Sequence, residues 1–164
     1  SMTDKFKSDK MPITTHSKNV LEQELKRLMV EERPRIIKAI EDARAHGDIS
    51  ENAEYDAAKE RQAHIEGRIA DIQTKLAMAE VVEPKDIKSD RIVFGATVEL
   101  VDVESDEKVI YQIVGVDESD VKLGKVSILS PIARAMIGKA KGDSVVVQSP
   151  KGDKEFEVLD FKFI

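Results

Sequence analysis

The spacing of apolar residues changes once along this chain, and the change divides it in two. From Ser17 onward Leu21, Leu25, Leu28, Ile36, Ile37, Ile40 and Ala43 recur at helical intervals, the stripe that a helix buries against a partner. Pro34 falls inside this stripe. A proline there lacks an N–H and its ring meets the carbonyl four residues back, at about 3 kcal/mol or more, so a kink or brief break is predicted over Val30–Arg33. A second helical stretch follows, in which Ile65, Ile69, Ile72, Leu76 and Ala79 alternate by fours and threes, as in the seam of a coiled coil. Nearer its start the facing residues shrink to Ala53, Ala57 and Ala58, which lets two helices approach closely.

Beyond Glu80 the helical period stops. Residues 81–91, with Pro84 and several charges, read as a linker. The period then becomes two. Val93–Val103, Val109–Val116, Val145–Gln148 and Phe156–Phe163 are rich in β-branched and aromatic residues and are predicted strands, the last pair joined by a turn at Pro150–Asp153. Ser130–Gly138 is a predicted short helix, with Ser at its cap, Pro in its first turn and Gly at its exit. The expected architecture is α+β in two domains. Residues 1–11 form a mobile tail, 12–80 an antiparallel α-helical coiled-coil hairpin, and 92–164 an antiparallel β-sheet domain with one short helix.

The hairpin reverses at Gly47–Tyr55, where Asp48, Glu51 and Glu54 crowd together and Asp56 follows. With arms of roughly thirty residues at about 1.5 Å each, that reversal stands some 45 Å from the hairpin base. Such reach suits a probe entering a deep cavity.

Composition removes several alternatives. The 164-residue chain has no cysteine, which excludes disulfides, thiolate metal sites and cysteine nucleophiles and fits a reducing cytoplasm. His16, His46 and His64 are its only histidines and lack zinc-site spacing. No stretch has the apolar length of a membrane span, and the first ten residues lack a signal-peptide core. The net charge of −6 argues against general nucleic-acid binding, which depends on neutralising phosphates with Lys and Arg.

Asp48 and Glu51 admit two explanations. Asp at a helix cap with Glu three positions on is a capping box, and acids there gain about 0.3–1 kcal/mol each from the helix dipole. The other explanation is a divalent-cation site. Mg²⁺ keeps several waters and takes one or two protein carboxylates, so an exposed pair is too weak to hold it alone. The pair could still complete the shell of an ion beside one already bound by a partner, two ions roughly 4 Å apart being suited to phosphodiester cleavage. Arg44 and Lys59 flank the acids and could contact a phosphate backbone.

The motifs Ala43–Tyr55 and Ser130–Lys139, in this order and in domains of these types, resemble those of the GreA/GreB family of bacterial transcript-cleavage factors. The resemblance runs from about Pro12 to the C-terminus, and the acidic balance and the Ser130–Arg134 wording are more similar to the GreA branch. It implies an N-terminal coiled coil and an FKBP-like C-terminal domain. It also implies a factor that enters the secondary channel of RNA polymerase and stimulates the polymerase's own Mg²⁺-dependent cleavage of backtracked RNA. The family's catalytic carboxylates fall on Asp48 and Glu51, which would share Mg²⁺ with the polymerase and hold none in the free protein. Its RNA-contacting cations fall on Arg44, Lys59 and Arg61, meeting the nascent 3′ end, and its polymerase-binding turn on Ser130 and Pro131. The resemblance thus implies a cytoplasmic monomer that is not an enzyme by itself. Prolyl isomerase activity is not expected, since aromatics make up 4% of the chain and tryptophan is absent. Two rivals remain: an inhibitory channel-binding homologue without cleavage stimulation, and an interaction module whose tip acids serve only as caps.

Overall fold

The computed structural model describes residues 10–45 and 52–164. They fall into two compact units, one made of the residues up to Ser17 together with Ala79–Ile164, the other of Lys18–Met78.

The helical unit is a pair of long antiparallel segments. Helix α1 (Thr15–Arg27) passes through a π-helical turn at Leu28–Glu32 into α2 (Arg33–Ala45). The turn lies where Pro34 requires a disturbance, although it starts two residues earlier than the predicted kink. Proline cannot donate to the carbonyl four residues back; the widened turn inserts one residue, and Arg33 N–H reaches Leu28 O instead. Helix α3 (Asn52–Met78) runs uninterrupted for 27 residues. Its Ile65, Ile69 and Ile72 are buried against Leu28, Ile36 and Ile40, and Leu21, Leu25 and Leu76 extend the same seam. Ile37, expected in that stripe, is 42% exposed. Ile36 and Ile40, four apart on one face, take the interior and turn their neighbour outward.

Cross-pairs along the two segments run in opposite senses, as antiparallel packing requires. Arg68 grips the Glu24 carboxylate with two bonds of 2.8 Å, and Arg33 grips Glu66 at 2.9 and 2.7 Å. Both are planar two-point pairs, a geometry that lysine cannot supply.

In the other unit β1 (Met11–Thr14) lies parallel to β2 (Ala79–Val82). The expected mobile tail therefore ends before Met11, and its residues 1–9 lie outside the described residues. The expected linker is also structured, since β2 enters it and a 3₁₀ turn follows at Pro84–Asp86 with Pro84 buried. Thr14 is 4% exposed. Its N–H and hydroxyl donate to the Glu118 carboxylate at 2.8 and 2.6 Å, while the same hydroxyl accepts from Ser17 N–H at 3.2 Å. One side chain thereby caps the start of α1 and fastens the N-terminal strand to the turn after the fourth strand.

The main sheet contains β3 (Thr97–Asp102), β4 (Lys108–Val114), β5 (Lys125–Ser127), β6 (Ser144–Val147) and β7 (Lys154–Lys162), in the order β5-β4-β3-β7-β6. It is mixed rather than antiparallel, because β5 runs parallel to β4. The chain between them turns back at Val121–Leu123, capped by Asp120 and closed by Gly124 at φ 69°, and so re-enters the sheet in the direction of β4. The first predicted strand begins at Thr97, not Val93: Gly95 at φ 91° bends the backbone while its N–H still reaches Ile113 O at 2.9 Å. The short helix α4 (Pro131–Met136) closes one face. Its Ala133 and Met136 join Ile92, Val98, Leu100, Ile113, Val145 and Val158 in a core with almost no exposed surface. Among the described residues, no helix is long and apolar enough to cross a membrane.

Candidate functional site

Asp48 and Glu51, the carboxylates singled out at the reversal, lie outside the described residues. The positions flanking them are defined. Arg44 stands one residue from the end of α2 and Tyr55 lies in the first turn of α3. The Arg44 Nη2 donates to the Tyr55 hydroxyl at 3.4 Å, and its guanidinium carbon lies 5.7 Å from the ring centroid. The pair thus combines a charge-assisted hydrogen bond with a cation–π contact. The bond from Arg44 holds the Tyr55 phenol below its ordinary pKa and raises that of the guanidinium. Arg44 is exposed. One of its five N–H groups meets Tyr55, which leaves donors for a second acceptor.

Lys59 and Arg61 are placed differently. Lys59 Nζ donates to Gln62 of its own helix at 3.2 Å. Arg61 faces Glu32 of the π turn at 3.6 Å, where Arg35 at 3.3 Å and Arg27 at 3.5 Å also converge. Sequence reading gave Arg61 a role toward RNA and overlooked Glu32, whose side chain is only 16% exposed while meeting three guanidiniums. The i,i+3 spacing of Glu32 and Arg35 was a visible signal for one of these pairs; the other two depend on the turn and on cross-helix packing. A groove of about 310 Å³ beside Ala57 and Ala58 is lined by Arg35, Arg61 and Glu32. It carries more positive than negative charge. Among the described residues, no group of three or more His, Asp or Glu side chains is arranged to hold a metal ion.

In the other unit Ser130 caps α4. Its hydroxyl accepts from Ala133 N–H at 3.3 Å and donates to Ser127 O at 2.6 Å, so both of its capacities serve the turn. Pro131 begins the helix with its ring exposed, and Leu129 beside them is 53% exposed. The turn therefore presents an apolar edge held rigidly from behind.

Two family models match the chain in succession: Transcription elongation factor, N-terminal, over residues 11–81, and Transcription elongation factor, GreA/GreB, C-term, over residues 87–163. The chain belongs to the GreA/GreB family of transcription elongation factors. A GreA of Trichlorobacter lovleyi is 54% identical over 156 residues, covering 95% of this chain and 99% of that protein. One from Beijerinckia indica is 55% identical over 155 residues, covering 94% and 99%. A crystal structure of GreA factor homolog 1 (Gfh1) of Thermus thermophilus aligns over 93% of this chain and 98% of that one, at 28% identity and a TM-score of 0.44. The GreA/GreB N-terminal match contains Arg44, Asp48, Glu51, Lys59 and Arg61, and the C-terminal match contains Ser130 and Pro131.

Proposed function

We propose that this GreA/GreB-type factor enters the secondary channel of bacterial RNA polymerase and stimulates Mg²⁺-dependent endonucleolytic cleavage of backtracked nascent RNA, which rescues arrested complexes. The observation that carries this reading is the position of Asp48 and Glu51 within the N-terminal family match, in the short stretch between two long antiparallel helices. The chain lends these two carboxylates and is not an enzyme by itself. A magnesium ion held mainly by the polymerase would gain the remaining part of its ligand shell from them and would activate water for phosphodiester cleavage. Arg44, Lys59 and Arg61 meet the phosphates of the RNA 3′ segment. Arg61 does so in competition with its 3.6 Å ion pair to Glu32. Pro131, on the turn that Ser130 holds, belongs to the surface that docks on the channel rim. The FKBP-like description of the globular unit, a cytoplasmic location and a monomeric state form part of the same reading.

The experiment is a cleavage assay on arrested elongation complexes with and without Mg²⁺. Asp48→Ala and Glu51→Ala should bind polymerase as the parent does and release no short RNA, with the loss falling on the rate at saturating factor. Undiminished cleavage by both variants would refute the roles of the acids. Slower synthesis with no fragment released by the parent chain would mark an inhibitor instead.

A further inference from the structure

Tyr55 is the only aromatic residue between Lys18 and Met78. The rest of the helical unit is packed with Leu, Ile and Ala, so nothing in that style of packing calls for an aromatic. The one present stands at the end of α3 nearest the acidic reversal, with its ring against the aliphatic seam and its hydroxyl toward Arg44 of the opposite helix. Phenylalanine would fill the same volume. What the hydroxyl adds is an acceptor for a guanidinium that is exposed and has no other partner among the described residues.

An arginine side chain has four rotatable bonds and loses rotamer freedom when it is ordered. An exposed guanidinium with no fixed partner would sample many directions before meeting a phosphate. Contact with the ring and the bond to the hydroxyl restrict the Arg44 guanidinium, while its remaining N–H groups stay available for phosphate oxygens. Lys59 has only a neighbour on its own helix, and Arg61 is held by a carboxylate that competes with any incoming anion. Of the three cations, Arg44 alone is restrained by a neutral group on the opposite helix.

We infer that Tyr55 is a positioning residue, holding Arg44 across the two helices in the orientation in which it meets an RNA phosphate beside the cleavage point. This rests on the cleavage-stimulating reading above. Tyr55 itself touches no reacting atom; it acts through Arg44 and makes that contact pre-organised.

The decisive variant is Tyr55→Phe, which keeps the ring against the seam and removes only the acceptor. With arrested complexes at saturating factor, its cleavage rate should fall about two- to tenfold, the range expected from a single exposed hydrogen bond. The factor concentration giving half the effect should stay unchanged, because the docking surface lies on the other unit. Tyr55→Leu should lose more. In an Arg44→Ala background Tyr55→Phe should cost nothing further, since the group it positions is gone. Side-chain NMR of the free protein supplies a second readout: the Arg44 guanidinium should rotate slowly in the parent and faster in Tyr55→Phe, with the helical melt unchanged. Parent-like cleavage by Tyr55→Phe, or losses in the double variant that simply multiply, would overturn the inference and leave the proposed function intact. A parent chain that stimulates no cleavage while its Arg44 is held still would sink the proposed function and leave the Arg44–Tyr55 restraint standing.

Discussion

Replacing Ile72 by Ala tests whether the helical unit is held by one aliphatic seam. Ile72 has 0% of its surface exposed, and among the described residues Leu28, Ile36, Ile40, Ile65 and Ile69 are the other buried members of that seam. Removing the outer carbons of a buried isoleucine costs about 2–5 kcal/mol, the spread reflecting how far the surroundings collapse into the space. The seam is a single layer between two helices, so partial closure is open to it and about 3 kcal/mol is expected. For a unit of about sixty residues this corresponds to a fall of roughly 12–24 °C in its melting temperature. The control is Ile37→Ala on the opposing segment, where the side chain is 42% exposed. Little packing is lost there and alanine is the better helix former, so its change should stay within about 0.5 kcal/mol. Far-ultraviolet circular dichroism melts of the whole chain, dominated by the helices, read both variants. Equal shifts, or a larger one for Ile37→Ala, would mean that burial along the Ile36–Ile40 and Ile65–Ile72 faces is not what stabilises the pair.

Gly124→Ala should destabilise the globular unit by about 2 kcal/mol or more in denaturant unfolding, because φ is +69° and a Cβ would lie 2.5 Å from Ile110 O. Gly138→Ala, at φ +86° with nothing within 4 Å of the new carbon, should cost only the backbone strain, about 1 kcal/mol; a reversed order would refute the close-approach account. The carboxyls of Glu24 (bonded by Arg68), Glu66 (by Arg33), Asp71 (by Lys75 and Arg68) and Asp102 (by the N–H groups of Glu104 and Ser105) are held below their ordinary pKa. The folded state therefore binds fewer protons than the unfolded one. Their stabilisation is complete above the unfolded values near about 4 and is lost as pH falls through the lower folded values. An acid titration of stability should show this decline, smaller in high salt for the exposed pairs; stability that is flat or rises toward low pH would contradict it.

What could be read from the sequence depended on how local each feature's cause was. The two helical segments follow from the stripes Leu21–Ala43 and Ile65–Leu76, although Ala79, expected to end the second stripe, opens β2 instead; the disturbance in the first follows from Pro34 alone, since a missing N–H acts on its own helix. The choice between Ile36 and Ile37 was not local. Both fit a loose helical period, and only the phase of the opposing Ile65 and Ile69 selects Ile36 with Ile40. Strand β1 had no signal within its four residues, because its partner β2 lies far along the chain. Its hold on Glu118 spans 104 positions. The direction of β5 was hidden for a similar reason: a three-residue edge strand is recognised by what it pairs with, not by its own pattern.

The candidate site divides along the same line. The acids Asp48 and Glu51 and the cation Arg44 stand out by residue type and spacing, so sequence alone nominates them. Arg61 was nominated only by the family resemblance, and its charge is already met by Glu32 across the helices; charge type says what a side chain can bind and packing decides what it binds first. Tyr55 shows the converse. In the sequence it is an aromatic at the edge of an acidic motif, with a ring that a helix seam could absorb. Its hydroxyl acquires a purpose only when the antiparallel return of the chain brings Arg44, eleven positions earlier, within 3.4 Å. The residues between these two include both carboxylates, so whatever fixes Arg44 to Tyr55 also ties together the two ends of the segment that carries them.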